Sequence, residues 1–295
     1  MKKYDLEISI GFDCNNNCIF CSNQSLRDLC RKKGIFNISL GQIKDILKSH
    51  NSKEVGTLFF VGGEPTILKE FFKIIRFAKR EGYSNISIST NGRMFKNINF
   101  SRKVCKEEIN VGFSIHGDSA LLHDRLTRSP GSFNQMTAGM NNFKLLNKTF
   151  RTNTTINKLN YKRIPQIIAF LSKYNPSLIL FSLVSPIGIP KENLKGIIPP
   201  LKNLKSVIKK SVLISRKLNQ NIKFMDVPLC IMNEHEEYMH EKDFRHDRKV
   251  VVKGLKDIFY LENKNKNEKI KLPVCSDCKM NKNCSGIWKG YNNVY

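Results

Sequence analysis

Along the first two thirds of the chain, short apolar runs alternate with stretches whose apolar positions recur every three to four residues. The runs Leu6–Phe12, Thr57–Val61, Asn85–Ser89, Asn110–Ile115, Arg151–Ile156 and Leu178–Val184 are rich in β-branched and aromatic residues. Several are almost continuously apolar, the pattern of parallel strands covered on both faces. Ser39 with Gln42 three positions on predicts a capping box, heading a helix that turns Leu40, Ile43, Ile46 and Leu47 inward. Phe71, Ile74, Ile75 and Ala78 share a second helical face, which Gly82 should terminate. Phe133, Met136, Met140 and Phe143 mark a third helix from about Ser132, and Ile164, Ile167, Ile168 and Leu171 a fourth from about Tyr161. Six strand-and-crossover units predict a parallel α/β sheet. Such a sheet can curl into a partial (β/α)6 barrel, similar to an incomplete TIM barrel, with its site at the C-terminal ends of the strands.

Beyond Pro186, Pro190, Pro199 and Pro200 the pattern loosens. One more helix carries Leu201, Leu204, Val207, Ile208 and Val212. The expected division is a barrel over 1–190, a linker helix over 191–222 and a small metal-stapled, cysteine-rich appendage over 223–295. With 40% hydrophobic and 25% charged residues among 295, the chain is neither a disordered tail, a collagen-like repeat nor a coiled coil. No run of ~18 apolar residues is present to span a membrane. Met1-Lys2-Lys3-Tyr4-Asp5 lacks the apolar core of a secretion signal, so the expected location is cytoplasmic. In that reducing compartment nine cysteines point to metal or thiol chemistry rather than to disulfides.

The net charge is +25, spread as +15 over residues 1–190 and +10 over 191–295. That balance fits a polyanionic partner such as RNA or an acidic peptide. It fits equally a Lys- and Asn-rich compositional bias, because no separate basic arm stands out.

Cys14, Cys18 and Cys21 form Cys-x3-Cys-x2-Cys directly after the first strand. Three thiolates on one loop can hold three irons of a four-iron cluster and leave the fourth open to a ligand. A structural zinc would be closed by four. The run Cys14-Asn15-Asn16-Asn17-Cys18-Ile19-Phe20-Cys21 resembles the signature of radical S-adenosylmethionine (SAM) enzymes, including the aromatic residue before the third cysteine. Val61-Gly62-Gly63-Glu64-Pro65-Thr66 at the second strand's end resembles that family's Gly-Gly-Glu-Pro motif. Ser89-Thr90-Asn91-Gly92 and Phe113-Ser114-Ile115-His116-Gly117 end the third and fourth strands in matching places. The resemblance covers about residues 5–190.

The resemblance implies a [4Fe-4S] cluster on Cys14, Cys18 and Cys21, whose open iron is chelated by the amine and carboxylate of SAM. One electron then cleaves SAM to methionine and a 5′-deoxyadenosyl radical, which abstracts hydrogen from the substrate. It further implies that Gly62, Gly63 and Glu64 face the methionyl amine and that Phe20 flanks the adenine through its backbone. Ser89 and Asn91 would lie near the ribose or carboxylate, Ser114 would contact the ribose and Arg125 the carboxylate. Thr155 and Val184 would line the adenine. For Arg125, in His123-Asp124-Arg125-Leu126-Thr127, a surface salt bridge is the plainer reading.

Cys275, Cys278 and Cys284 give Cys-x2-Cys-x5-Cys near the C-terminus, with Cys230 upstream. Four thiolates suit either a closed zinc site or a fully ligated four-iron cluster, and spacing alone does not separate them. The region resembles the shortened auxiliary-cluster domain, called twitch, of SPASM/twitch radical SAM enzymes, which implies a second [4Fe-4S] cluster in preference to zinc. Cys30 and Cys105 read as inert thiols. His235, His240 and His246 read as part of a solvated segment.

The leading expectation is a radical SAM enzyme that modifies a peptide or protein, served by a reductant such as ferredoxin or flavodoxin. The first strand begins almost at once, so leader recognition is expected to come from another polypeptide or from the basic surface. The alternatives are radical chemistry on a small metabolite or tRNA, which the charge would favour, and a zinc-stapled binding protein without catalysis.

Overall fold

A computed structural model of the chain describes residues 3–34, 38–189, 193–240, 247–253, 258–260, 268–292 and 294. Pro190, His246 and the Cys30 side chain lie outside the described parts.

Seven strands pair in chain order, all parallel: β1 (Tyr4–Ser9), β2 (Val55–Val61), β3 (Ile86–Thr90), β4 (Asn110–Ser114), β5 (Arg151–Ile156), β6 (Leu178–Leu183) and β7 (Ile222–Met225). The sheet curls into a partial barrel, as the alternation predicts. On its other side β1 pairs in parallel with β8 (Asp247–Lys253), which pairs antiparallel with β9 (Ile258–Tyr260). Residues 222–225, 247–253 and 258–260 therefore extend the barrel sheet, although the sequence pattern assigns most of them to an appendage. For β7 and β9 the reason is length, four and three residues being too few for a period of two to show.

The outer layer holds α1 (Gln24–Lys32), α2 (Leu40–Lys48), α3 (Phe71–Arg80), α4 (Ile98–Lys106), α5 (Ala120–Thr127), α6 (Ser132–Leu145), α7 (Ile164–Leu171), the one-turn α8 (Leu194–Ile197) and α9 (Leu201–Lys217). The capping box of α2 forms in both directions: Gln42 N donates to Ser39 Oγ over 3.2 Å and Ser39 N to Gln42 Oε1 over 3.1 Å. One face of β1 to β4 and of β6 is buried, through Leu6 and Ile8, Leu58 and Phe60, Ile86 and Ile88, Val111 and Phe113, and Ile179 and Phe181. Alternation sends the intervening residues into the barrel. On β3 to β5 those are polar: Ser87, Ser89, Ser114, Arg151, Asn153 and Thr155. Arg151 Nη2 donates to Ser87 Oγ over 2.6 Å and its guanidinium lies 5.2 Å from the Phe59 ring centroid, linking β2, β3 and β5 at the barrel floor.

A two-stranded sheet of β10 (Lys269–Ile270) and β11 (Ile287–Trp288) carries the C-terminal cysteines. Lys269 Nζ reaches Asp226 Oδ1 at the end of β7 over 2.9 Å and sits 4.9 Å from the Trp288 ring centroid. Tyr291, fully buried, donates its hydroxyl to Val184 O over 2.8 Å at the end of β6. These contacts seat the tail on the C-terminal rim of the barrel.

Candidate active site

The C-terminal ends of β1, β2 and β3 converge on the first cysteine loop. Ile10 N, Gly63 N and Glu64 N bond across between the two chain segments, to Val61 O (2.9 Å), Gly11 O (2.7 Å) and Asp13 O (2.7 Å) respectively. The two glycines permit this approach. A Cβ on Gly63 would lie 2.0 Å from Asp13 O, and one on Gly62, whose φ is +132°, would lie 2.4 Å from Gly11 O. The backbone they admit so closely is the chain's own, immediately before Cys14.

Glu64 is the hub of the arrangement. Its carboxylate, 2% exposed, accepts hydrogen bonds from Thr66 N (3.1 Å), Thr66 Oγ1 (2.5 Å), Thr90 Oγ1 (2.6 Å) and Asn91 N (2.6 Å). Burial pushes its pKa up, and the four donors oppose that. Asn91 passes the connection on: its Nδ2 donates to Asn15 Oδ1 over 2.6 Å and points at Cys14 Sγ from 3.8 Å, while its Oδ1 accepts from Arg93 N. Asn91 and Glu64 thus fix the loop from beneath. Arg93 holds the loop's backbone at Asn15 O and its side chain at Asn16 Oδ1 (3.0 Å), with its Nε on Gln135 Oε1. On the far side, Asn17 N and Ile19 N donate to the last carbonyls of α5, Thr127 O and Leu126 O.

The three thiols act on one another. Burial raises the Cys14 pKa to about 11, and the Glu64 charge and Cys21 push the same way. Burial raises Cys18 further, with Cys21 and Cys14 adding to it, while Arg27 lowers both. Asn16 N donates to Cys14 Sγ over 3.4 Å. Three half-buried sulfur donors on one loop, two N–H groups aimed at one of them and a nearby guanidinium form a donor set that fits a soft metal centre.

Around this loop the other residues fall into two groups. Phe20 is buried with its ring edge-on to His116, centroids 4.6 Å apart. His116 Nδ1 accepts from Thr155 N over 3.3 Å, and the His116 backbone N–H donates to His123 Nδ1 over 3.1 Å. These bonds put each ring's proton on Nε2. Burial holds both rings neutral, His116 well below its ordinary pKa and His123 down at about 4. Phe20 and Thr155 thereby meet at the His116 ring, while Ser114 is half-buried on the inward face of β4. Ser89 is exposed on the inward face of β3. Val184 is 1% exposed, its carbonyl taken by Tyr291. Arg125 is exposed on α5 and makes no hydrogen bond or ion pair among the described residues; neighbouring Leu126 is the residue that meets the loop.

At the rim, Cys230 is exposed on the one-turn helix α10 (Leu229–Met232), and Cys275, Cys278 and Cys284 are half-buried. Cys284, Cys278 and Cys275 each raise the Cys230 pKa, after burial itself, so the four thiols share one neighbourhood. Gly286 N donates to Cys284 Sγ over 3.4 Å. Four clustered thiols are chemically competent to close around a metal centre. Among the described residues no three His, Cys, Asp or Glu side chains close on the position of a single ion. Cys105 is half-buried on α4 with its pKa raised by burial, and His235 and His240 flank the short turn Glu236–Tyr238. Arg27 and Arg93 carry no sequence expectation, although Arg93 adjoins Ser89-Thr90-Asn91-Gly92; Thr90 stands inside that motif but has no expected role.

The sequence profile of the Radical SAM superfamily matches residues 8–171, more than half of the chain. The chain belongs to the radical SAM superfamily. Among curated relatives, a probable GTP 3′,8-cyclase of Sulfolobus acidocaldarius is 25% identical over 189 residues, 64% of this chain and 58% of that protein. The chain thus spans under two thirds of the length of that relative. Among solved structures, Streptococcus suis SuiB bound to S-adenosylmethionine superposes with a TM-score of 0.69 at 16% identity, covering 98% of this chain and 74% of SuiB. SuiB bound to its precursor peptide SuiA gives 0.70 at 16% identity, covering 98% and 72%. These likenesses establish the fold. No described helix is long and apolar enough to cross a membrane.

Proposed function

We propose that this radical SAM protein is a peptide- or protein-modifying enzyme of the SPASM/twitch type, with SAM at the first cysteine loop and an auxiliary [4Fe-4S] cluster at the rim. The observation that carries the reading is extent. The likeness to SuiB, a protein solved with a precursor peptide, runs over 98% of the chain, tail included. Cys14, Cys18 and Cys21 would hold the SAM-binding cluster, and Cys230, Cys275, Cys278 and Cys284 the second. When bound, the first cluster and SAM supply a 5′-deoxyadenosyl radical for hydrogen-atom abstraction. The chain's own part is to fix and dry the site. Glu64 and Asn91 lock the loop at one height above the strand ends. The Gly62–Gly63 backbone offers polar groups to the methionyl end, and Ser89, Ser114 and Thr155 give the ribose side hydroxyls. Phe20, Val184 and the neutral His116 shield the adenine side from water, and Arg125, beside the Leu126 that bonds the loop, would serve a carboxylate. A small acidic one-electron carrier of the ferredoxin or flavodoxin class suits the basic surface.

A second reading, a small-metabolite enzyme acting on a nucleotide, is favoured by the 25% identity to proteins named as GTP 3′,8-cyclases and by the +25 charge. Anaerobic reconstitution tests both. About eight irons per chain, and 5′-deoxyadenosine on reduction with SAM, are expected. Cys18→Ala should abolish 5′-deoxyadenosine formation, while Cys278→Ala should spare it and lose the modified product. Stimulation by GTP or tRNA but not by peptides encoded beside the gene would replace the first reading with the second. Zinc at both sites with no SAM cleavage would overturn both.

A further inference from the structure

Arg27 is the buried charged side chain for which neither reading has a use. It stands on α1 six residues past Cys21 and is 4% exposed. Nη1 donates to Asn16 O over 3.0 Å and Nη2 to Asn17 Oδ1 over 2.5 Å, both inside the Cys14–Cys18 interval. Its Nε is buried without an acceptor. Both partners are neutral, and among the described residues no carboxylate pairs with it. A buried guanidinium with only neutral acceptors is poorly compensated, so its surroundings favour a negative charge. The loop it grips is where such a charge would sit: both of its anchors, Asn16 O and Asn17 Oδ1, belong to residues between Cys14 and Cys18. The fork fixes the guanidinium's place relative to the thiols, because its two anchors are the residues between them.

A thiolate-bound four-iron centre gains one negative charge on reduction, and net local charge is among the determinants of its potential. We propose that Arg27 is a potential-setting residue, a buried cation placed beside the Cys14–Cys18–Cys21 centre to favour its reduced state. The proposal rests on the assignment of a cluster to these three cysteines. It makes Arg27 a positioning residue that acts through the loop and its charge, without touching SAM or substrate.

The test is the midpoint potential of the first cluster by spectroelectrochemical EPR, on full-length protein with Cys278→Ala as background so that one cluster reports. Arg27→Gln removes the charge and keeps a hydrogen-bonding side chain; Arg27→Lys keeps the charge and loses the fork. The expected result is a reduction equilibrium about tenfold less favourable in Arg27→Gln, about 59 mV more negative for one electron, with Arg27→Lys close to the parent. If Arg27→Gln fails to hold iron but Arg27→Lys holds it at the parent potential, the charge is again what matters. An unchanged potential in Arg27→Gln overturns the proposal. So does loss of iron from both variants, which assigns Arg27 to holding the loop's shape alone. Absence of any cluster EPR signal in the parent would instead defeat the underlying assignment.

Discussion

The two cysteine regions carry similar numbers of thiols at similar spacing, yet the chain holds them in opposite ways. Around Cys14, Cys18 and Cys21 the loop is tied to the ends of two strands and to three helices: to β2 through Gly63 and Glu64, to β3 through Asn91 and Arg93, to α1 through Arg27, to α5 through Leu126 and Thr127, and, by way of Arg93, to α6 through Gln135. Around Cys275, Cys278 and Cys284 the hydrogen bonds are local, such as Cys278 N to Cys275 O and Cys284 N to Met280 O, on turns with no core beneath them. Cys230 approaches from a separate one-turn helix. The first set of thiols is positioned by the fold before any metal arrives. Under the proposed function the second would be completed by its metal, as small metal-stapled units are.

The sharpest way to break that contrast is to remove the metal. After anaerobic chelation, limited proteolysis should cut first within residues 229–240 and 268–292, leaving a protected fragment that spans residues 3–189. Mass spectrometry of the fragments reads the result. Equal protection of both regions would show that the tail is folded by its own contacts, and early cleavage between Gly11 and Asn23 would show that the first loop also depends on its cluster.

How far the sequence could be read follows the same division. The strand and helix patterns of residues 6–184 were legible because long apolar faces repeat there, and the motif glycines marked the strand ends. The purpose of those glycines was only half legible. Gly62 and Gly63 can be read as permitting a close approach, but which backbone approaches depends on Asp13, fifty residues away in sequence. Arg27 and Arg93 carry no periodic signal, since a buried arginine and a surface arginine look alike in one sequence. β7 and the attachment of the tail through Tyr291 and Lys269 arise from tertiary contacts between short segments, where local pattern is weakest.

Acid should loosen the first region. His123 is buried and neutral, its pKa held down at about 4 by burial against an opposing push from Asp124. The unfolded chain takes up this proton below about pH 6.5 and the folded chain refuses it until about 4. The neutral ring's contribution is therefore complete above pH 6.5 and lost as pH falls through that window, about 3 kcal/mol at its end. His116 adds in the same direction. Between pH 7.5 and pH 5 the urea midpoint of the parent should fall further than that of His123→Gln, whose side-chain oxygen still accepts from His116 N. Equal shifts would mean that His123 titrates normally and that the wall behind Phe20 is open to water.

Tyr291→Phe tests the weaker side of the comparison with the smallest perturbation. The substitution keeps the ring and removes only the hydroxyl that reaches Val184 O, leaving a buried carbonyl without that donor, a loss of about 1–2 kcal/mol. Because the tail is seated by few contacts, that loss should appear as local opening rather than as global unfolding. Hydrogen exchange should quicken at residues 287–292 and stay unchanged in β1 to β4, with the urea midpoint of the barrel unmoved. If the whole barrel shifts instead, the tail is part of the barrel's cooperative unit, and the rim thiols are positioned by the same fold that positions Cys14, Cys18 and Cys21.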